Sequence, residues 1–228
     1  MKENNSNAKS HWENVFATKA ENEVSWFLSY PKTSVDFLAL FNLPLDAQII
    51  DIGGGDSHLV DVLLEKGYKN IYVLDISKNA LERAKQRLGD KAQLVHWIVS
   101  DVTEFIPDVQ FDCWHDRAAF HFLTTDEKIE KYVRIAENNI KPGGYLVVGT
   151  FSENGPKKCS GLEIKQYSET AMFQRFGKAF SSIKCITEDH LTPFNTTQNF
   201  LFCGFQRKGF DSEGNKVTAE GKGTRIGS

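Results

Sequence analysis

The sequence alternates β-strand and α-helix signals between residues 47 and 150, and this alternation restricts the fold more than any other feature. Amphipathic segments predict helices at residues 58–65, 77–88 and 125–140. Short apolar runs predict buried strands before, between and after them, at residues 47–52, 70–74, 94–99, 111–115 and 145–150. Consecutive β-α-β units require parallel strands with right-handed crossovers, so we predict an α/β, doubly wound, mostly parallel sheet.

The last third of the chain follows a different pattern. After a predicted helix at residues 168–176, two strands at 181–188 and 199–206 are joined without an intervening helix. Strands joined in this way are expected to be antiparallel neighbours. The complete prediction is a seven-stranded sheet with one antiparallel edge strand.

The two ends of the chain differ in composition from its body. Residues 1–10 are polar, and residues 209–228 contain five glycines and only four apolar residues. Such segments bury too little apolar surface to offset the entropy lost on ordering. We therefore expect a disordered N-terminus at 1–10, one domain at 11–207 and a flexible C-terminal tail at 208–228.

Composition limits the partners of the chain. A net charge of −3 and a pI of about 6.1 argue against a broad nucleic-acid surface. The longest apolar run, Phe37 to Phe41, is far shorter than the ~20 residues of a membrane helix. The polar first ten residues lack a secretory signal, and the four cysteines form no C-x-x-C pair. These features predict a cytoplasmic protein with buried free thiols, no membrane partner and no nucleic-acid partner.

A glycine-rich turn follows the first predicted strand. The segment Asp51-Ile-Gly-Gly-Gly-Asp-Ser57 opens the first predicted helix, and its glycines permit positive φ and close approach of a ligand. The carboxyl ends of strands are where open α/β sheets bind ligands. Asp75, followed by Ile76, ends the second strand, where a carboxylate accepts hydrogen bonds from a ribose diol. Asp51, Gly53, Gly54, Gly55, Asp75 and Ile76 are therefore candidate cofactor-binding residues.

The residues around this turn favour one kind of adenosine ligand. A dinucleotide-binding turn has a third glycine where this chain has His58, and no Gly-Lys-Ser/Thr follows as in a P-loop. Asp51 and Asp56 flank the turn, which suits a ligand with an ammonium and a sulfonium, such as S-adenosylmethionine, better than one with phosphates. Asp101 and Val102, after the third strand, are candidates for binding adenine. The alternatives are an ordinary tight turn and a helix-capping Asp101.

Several segments, taken in order, resemble the class I S-adenosylmethionine-dependent methyltransferases over roughly residues 11–207. The resemblance implies a Rossmann-like methyltransferase fold, S-adenosylmethionine as cofactor and S-adenosylhomocysteine as product. One departure is Ser57, where many members carry a further glycine. The matching segments are Asp51–Ser57, Asp75-Ile76-Ser77, Asp101-Val102, Phe111-Asp112 and Lys141-Pro142-Gly143-Gly144.

A narrower resemblance is to a bacterial methyltransferase group related to the mitochondrial citrate synthase lysine methyltransferase. It implies a protein-lysine acceptor, although related thiopurine and small-thiol methyltransferases share the fold with other acceptors. The segments that carry this likeness are His11-Trp12, Phe16–Lys19, Ser25–Phe27, Pro31, Trp114–Phe122, Gly155-Pro156, Cys159–Leu162, Glu188–Pro193 and Gln198–Phe200.

Polar residues after the fourth predicted strand are candidates for catalysis. Asp116 is placed to orient or deprotonate an amine, and Arg117 to hold Asp116 or an acidic substrate group. Histidine side chains ordinarily titrate near neutrality, so His115 and His121 are candidate proton relays, with His115 also a candidate cofactor contact. The alternative is a buried Asp-Arg pair that braces the loop. The spacing of these groups is poor for a metal, and none is predicted.

Two further segments are candidates for the walls of the site. His190, Thr192 and Gln198, with Cys159–Leu162, are candidate acceptor-binding residues, or else they brace a loop. An aromatic segment either covers the cofactor, with Trp26 as a contact, or packs on the core; it consists of Trp12, Phe16, Trp26, Phe27 and Tyr30.

Two other functions stay open on the sequence alone: an NAD-dependent oxidoreductase and a non-catalytic adenosyl-ligand-binding module.

Overall fold

The computed structural model describes residues 3–210 and 216–217. The strands of the main sheet are β1 (Gln48–Ile52), β2 (Asn70–Asp75), β3 (Val95–Val99), β4 (Phe111–Arg117), β5 (Ile140–Phe151), β6 (Phe180–Leu191) and β7 (Thr197–Arg207). The α-helices are α1 (Glu3–Thr18), α2 (Lys32–Phe41), α3 (Leu59–Glu65), α4 (Lys78–Leu88), α5 (Asp126–Asn139) and α6 (Glu169–Phe176). Short 3-10 turns lie at Glu21–Glu23, Gly89–Leu94, Val102–Glu104 and Phe120–Phe122, and two-residue strands pair Lys158–Cys159 with Leu162–Glu163.

The seven strands are arranged in the order β3-β2-β1-β4-β5-β7-β6. The first five pair in parallel, and β7 runs antiparallel to both β5 and β6. The predicted fold class is confirmed. The antiparallel strand lies one place in from the edge, because the helical connection through α6 carries the chain past that position before the β6–β7 hairpin returns to it.

Both faces of the sheet are covered by helices, as the near-continuous apolar strands require. Helices α2, α3 and α4 pack on one face, where Phe37 and Leu63 are buried beside Val147. Helices α5 and α6 pack on the other, where Tyr132 and Phe176 are buried. The carboxyl ends of β1 to β4 therefore meet at one open edge between the two helical layers.

The N-terminal segment is helical where disorder was expected. Helix α1 begins at Glu3, so the prediction of disorder for residues 1–10 is wrong from residue 3 onward. The Glu13 carboxylate accepts hydrogen bonds from the Lys78 and Asn79 amides at the start of α4, at 2.9 and 3.0 Å. A carboxylate at a helix N-terminus is favourable for charge and hydrogen bonding alike, and it anchors α1 to the domain.

Most of the predicted C-terminal tail, 208–228, lies outside the described residues. Its described part includes Gly209–Phe210, which pairs with Lys216–Val217. Within the described ranges, no helix is both long enough and apolar enough to cross a membrane.

The cysteines do not all remain thiols. Cys185 and Cys203 are directly opposite each other on β6 and β7 and form a disulfide, so the prediction of free thiols is wrong for this pair. Their Cα atoms lie 4.2 Å apart, a closeness that the strand register creates and that sequence spacing did not indicate. Cys113 and Cys159 are buried and free, as expected. Cytoplasmic localisation stays a prediction.

Helix α6 offers a direct test of this packing. Phe176 is fully buried against Phe120, Phe180 and Phe205, whereas Phe173 on the same helix is 52% exposed. We expect Phe176→Ala to lower the free energy of unfolding by about 3–5 kcal/mol, because it leaves a cavity in the core. The matched variant Phe173→Ala should cost less than about 1 kcal/mol. Urea denaturation of both variants measures the difference, and equal losses would contradict the described packing of α6.

Candidate functional site

A cleft of two adjoining cavities lies at the carboxyl ends of β1 to β4. The first cavity measures about 160 Å³ and the second about 50 Å³, and both are bordered by Phe16, Trp26, Gly53 and Arg117. The first cavity is also lined by Trp12, Asp75, Ile76, Asp101, Val102, Phe122 and Cys159. The second is also lined by Phe27, Asp51, Gly54, Gly55, Asp56 and His115. The structure thus brings the ten predicted cofactor-binding residues together around one cleft.

The glycine turn has the shape that its sequence requires. Gly53 and Gly55 adopt positive φ, at 62° and 48°. A Cβ on Gly53 would lie 2.5 Å from the Cβ of Ala119, and one on Gly54 would lie 2.7 Å from Val73. Neither glycine tolerates a side chain without displacing a neighbouring strand or turn. Gly53 borders both cavities, so the backbone of this turn lies between them.

Asp51 is held by a buried hydrogen-bonded chain. Its carboxylate lies 2.7 Å from Nδ1 of His115, and Nε2 of that ring lies 2.8 Å from the hydroxyl of Ser34. All three residues are almost fully buried. Because each ring nitrogen has a partner, His115 is fixed in orientation beside the turn. Sequence reasoning missed Ser34, since α2 carries no polar motif that points to this contact.

Asp56 does not face a ligand in the way the sequence suggested. Its carboxylate lies 2.8 Å from the Arg83 guanidinium. Arg87 donates to the Asp56 and Ser57 carbonyl oxygens, at 2.7 and 2.9 Å. The prediction that Asp56 supplies free negative charge to the turn is wrong, because two arginines one helical turn apart on α4 neutralise and brace it. The i, i+4 spacing of Arg83 and Arg87 was the available signal.

Asp75 is a buried carboxyl group on the wall of the first cavity. Its Oδ1 accepts a hydrogen bond from the Ser77 amide at 2.8 Å, which also helps to start α4. Burial, with a smaller contribution from Asp56 and Asp51, raises the pKa of Asp75 to about 7, while the Ser77 amide opposes the shift. The group is therefore poised to change charge near neutral pH.

The far wall of the first cavity is built by β3 and the turn that follows it. Asp101 Oδ1 accepts from the amide and the hydroxyl of Thr103, both at 2.8 Å, so the capping role left open by the sequence is present. Asp101 and Val102 still line the cavity, as does Ile76. The cap fixes the carboxylate at the cavity wall.

Aromatic side chains from the N-terminal segment close the cleft from above. The Trp12 ring lies 5.0 Å from Phe122 and 5.7 Å from Trp26, centroid to centroid. Trp26 borders both cavities, and Phe16 packs beside it. These rings come from α1 and the loop before α2, so the predicted covering segment lies over the glycine turn. Tyr30, half exposed, lines neither cavity.

Arg117 ends β4 at the junction of the two cavities. One nitrogen donates to the Trp26 carbonyl oxygen at 2.9 Å, and the guanidinium carbon lies 5.2 Å from the centre of the Phe200 ring. Nε and Nη2 are buried and have no hydrogen-bond partner among the described residues. Burial lowers the pKa of Arg117 to about 10, so it stays positively charged at neutral pH.

The structure contradicts the proposed catalytic role of Asp116. Its Oδ1 accepts from the Ala119 and Phe120 amides, at 3.1 and 3.0 Å, and its Oδ2 accepts from the Tyr132 hydroxyl at 2.8 Å. Alternate residues of a strand point to opposite faces, so Asp116 points toward α5 and away from His115 and Arg117. Burial raises the pKa of Asp116 to about 6. Its oxygens are nevertheless engaged in hydrogen bonds that hold the 3-10 turn at Phe120–Phe122 in place. The expected pairing of Arg117 with Asp116 is absent for the same reason.

His121 is not a proton relay. The ring is fully buried and stacks on Phe151 with centroids 4.6 Å apart. Burial, with help from the charge of Arg117, lowers the pKa of His121 to about 3. The imidazole is therefore neutral at physiological pH and sealed from the cleft. The prediction is wrong because sequence spacing cannot show on which side of the turn a histidine packs.

The three candidate acceptor-binding residues have structural partners or lie away from the cleft. His190 Nε2 lies 2.7 Å from the Ser25 carbonyl oxygen, and burial lowers the pKa of His190. The Thr192 hydroxyl lies 2.7 Å from that of Thr196, within the β6–β7 turn. Gln198 lies opposite His190 in the strand register. None of them lines either cavity, so the loop-bracing alternative describes His190 and Thr192.

No cluster of three or more histidine, cysteine, aspartate or glutamate side chains suited to a metal ion occurs in the described part of the chain. The polar groups of the cleft include carboxylates, backbone amides of a glycine turn and an arginine. This donor set fits an organic ligand that carries hydroxyl, amino and carboxylate groups.

Comparison with known proteins agrees with this geometry. Residues 50–148, from β1 to β5, match the family model described as a methyltransferase domain. The eEF1A lysine and N-terminal methyltransferase of Mus musculus is 26% identical over 140 residues, which are 61% of this chain and 20% of the mouse protein. Malonyl-[acyl-carrier protein] O-methyltransferase 2 of Ilyobacter polytropus is 27% identical over 46% of this chain and 40% of that protein. The matches thus span about a fifth to two fifths of these curated relatives.

Solved structures share the fold. The N-methyltransferase NodS of Bradyrhizobium japonicum, in complex with S-adenosylhomocysteine, has a TM-score of 0.70 at 18% identity, covering 88% of this chain and 98% of that one. Its likeness concerns the strand order and the helical layers. Residues 50–148 thus match a methyltransferase domain, and the chain as a whole has the Rossmann-like fold of the solved methyltransferases.

Proposed function

We propose that the protein binds S-adenosylmethionine across the two cavities and transfers its methyl group to a small nucleophile or a protein lysine. The observation that carries this proposal is Asp75, a buried carboxyl group at the end of β2 on a cavity beside the glycine turn. A carboxylate at this place of the fold is suited to a ribose diol. NodS, with the same fold, was solved with S-adenosylhomocysteine, which supports the choice of ligand.

The residues of the first cavity suit the adenosine part of the cofactor. Asp75 binds the ribose hydroxyls, while Ile76 and Val102 flank the adenine ring with apolar surface. Asp101, fixed by its bonds to Thr103, accepts a hydrogen bond from the adenine amino group. The apolar side chains and the two carboxylates together fit a flat base attached to a diol.

The second cavity suits the methionine part. The backbone of Gly53 to Gly55 permits close approach, and Asp51 supplies negative charge for the ammonium group. His115 and Ser34 hold Asp51 in place, so they are positioning residues. Trp26 lies over both parts and excludes water.

When bound, the cofactor supplies a methyl carbon on a positively charged sulfur; the lone pair of the acceptor forms the new bond while the carbon–sulfur bond breaks. The protein's part in such a displacement is to orient the reacting groups and to exclude water. Asp116 and His121 do neither, because the carboxylate of Asp116 is already hydrogen-bonded within the protein and the ring of His121 is buried away from the cavity wall. Neither residue is therefore placed to take up a proton that the acceptor releases.

The class of acceptor is the finer part of the proposal. The likeness of residues 114–122 and 188–193 to the citrate synthase lysine methyltransferase group, together with the eEF1A relative, supports a protein lysine. The Ilyobacter relative, which is named as an O-methyltransferase, and NodS, which is named as an N-methyltransferase, support other acceptors. A labelled methyl donor added to cell extract would show whether the product is a protein or a small molecule.

The proposed ribose contact gives a direct test of cofactor binding. We expect calorimetric titration with S-adenosylhomocysteine to release heat, and Asp75→Ala to weaken binding at least about tenfold, because two charge-assisted hydrogen bonds are lost. Asp90→Ala, which removes an exposed carboxylate away from both cavities, is the matched control. The absence of heat with the native protein would refute the proposed function.

The raised pKa of Asp75 predicts a pH dependence. The ionised carboxylate is the better acceptor for two hydroxyl donors, and its fraction falls as pH drops through about 7. We expect the affinity for S-adenosylhomocysteine to fall by up to about tenfold from pH 8 to pH 6. The Asp75→Asn variant should lose this dependence, since its side chain does not titrate. An equal pH profile in both proteins would count against the ribose contact.

A further inference from the structure

Arg117 has hydrogen-bonding capacity that the protein itself leaves unused. Two of its three guanidinium nitrogens, Nε and Nη2, are buried and have no partner within the described residues. No acidic side chain in that part of the chain lies within ion-pairing distance of it. A buried cation without a paired anion is costly, so an arginine held in this way is suited to receive one.

The nearby acids are already engaged. Asp51 is bonded to His115, and Glu188 accepts a hydrogen bond from the Thr33 hydroxyl. Both raise the pKa of Arg117 from a distance, against the larger effect of burial. Neither supplies the two parallel hydrogen bonds that a guanidinium makes with a carboxylate.

Arg117 lies where the two cavities meet, on the β5 side of the cleft. Its backbone pairs with Gly149 of β5, and its guanidinium lies over Phe200 of β7, one strand further from β1. The glycine turn, at the end of β1, lies in the opposite direction along the sheet. Because Arg117 borders both cavities, its guanidinium lies where the proposed adenosine and methionine sites meet, and Cys159 lines the first of these cavities.

The walls of the first cavity, which also receives the adenosine part of the cofactor in the proposed function, restrict what can lie beside Arg117. Trp12, Trp26 and Phe122 are aromatic, and Leu123 and Ala118 add apolar surface. Lys128 of α5 also borders the first cavity, so two basic side chains line it, with Arg117 at the end of β4. A lysine ammonium would meet like charge here, whereas a compact ligand with an apolar body and a negative group would meet complementary surface.

We propose that the methyl acceptor is a small molecule with a carboxylate and an apolar body, and that Arg117 binds its carboxylate through Nε and Nη2. This inference rests on the proposed methyl transfer and names its substrate class. Arg117 is then a specificity-determining residue, and the aromatic wall holds the apolar part of the acceptor. The nucleophile lies elsewhere on the same molecule.

Benzoate and benzamide are suitable probes, because they share shape and differ in charge. With S-adenosylhomocysteine at saturation, we expect the native protein to bind benzoate at least about tenfold more tightly than benzamide in calorimetric or NMR titration. Arg117→Gln should abolish the preference, and Arg117→Lys should retain part of it, since lysine keeps the charge without the two-pronged geometry. Arg134→Gln, at an exposed arginine of α5, should leave it unchanged. Equal binding of both probes by the native protein overturns the proposal.

A second arm separates the acceptor from the cofactor's own carboxylate. Methylthioadenosine lacks the amino-acid part of S-adenosylhomocysteine, so the two are compared on native protein and Arg117→Gln. Unchanged affinities for both are expected. If Arg117→Gln weakened the affinity for S-adenosylhomocysteine but left that for methylthioadenosine unchanged, Arg117 would contact the amino-acid part of the cofactor. That result would overturn the acceptor assignment.

Folding and the parent proposal are checked separately. Thermal melting of the Arg117 variants shows whether they fold, and if Arg117→Gln does not, the benzoate preference of Arg117→Lys is tested against that of the native protein. If the native protein binds no S-adenosylhomocysteine, the proposed function fails. The benzoate preference is then measured on the ligand-free protein, so the two failures are distinguishable.

Discussion

The close packing of the glycine turn after β1 is the constraint on which the cleft depends. Gly53 lies against Ala119 and Gly54 against Val73, so this backbone contacts both neighbouring strands or the turns that follow them. Any side chain at these positions would push apart the walls of the cleft. The turn thereby sets the spacing between Asp75 on one side and Arg117 on the other.

Buried polar chains fix the side chains around this turn. Asp51 is held through His115 to Ser34 of α2, and Asp116 is held through Tyr132 to Trp114 on the opposite face. The two aspartates have different consequences because adjacent strands place them on opposite faces. The first supports the cleft floor, and the second braces the turn that carries Ala119. In a buried network each group depends on its partners, so both chains favour one arrangement of the site.

Charge is distributed unevenly along the cleft. The carboxylates Asp75, Asp101 and Asp51 lie at the ends of β1 to β3 or just beyond, whereas the basic side chains Arg117 and Lys128 lie at the end of β4 and in α5. Asp56, which would have added to the acidic side, is neutralised by Arg83. The cleft therefore has carboxylates on its β1 to β3 side and basic side chains on its β4 side. This division follows from strand order, since sequence-distant strand ends become neighbours.

The sequence by itself determined the α/β class, the seven strands and most residues that line the cleft, because strand periodicity and the glycine turn are local signals. Asp75 and the turn could be placed from spacing alone, since parallel strands bring their carboxyl ends to one edge. The tertiary structure decided which polar groups are free. In the folded chain, Asp116 is hydrogen-bonded to Tyr132 and His121 is buried against Phe151. Asp56 pairs with Arg83, and Cys185 forms a disulfide with Cys203. Those outcomes depend on which face a side chain takes and on partners far away in the chain, and residue order carries little information on either.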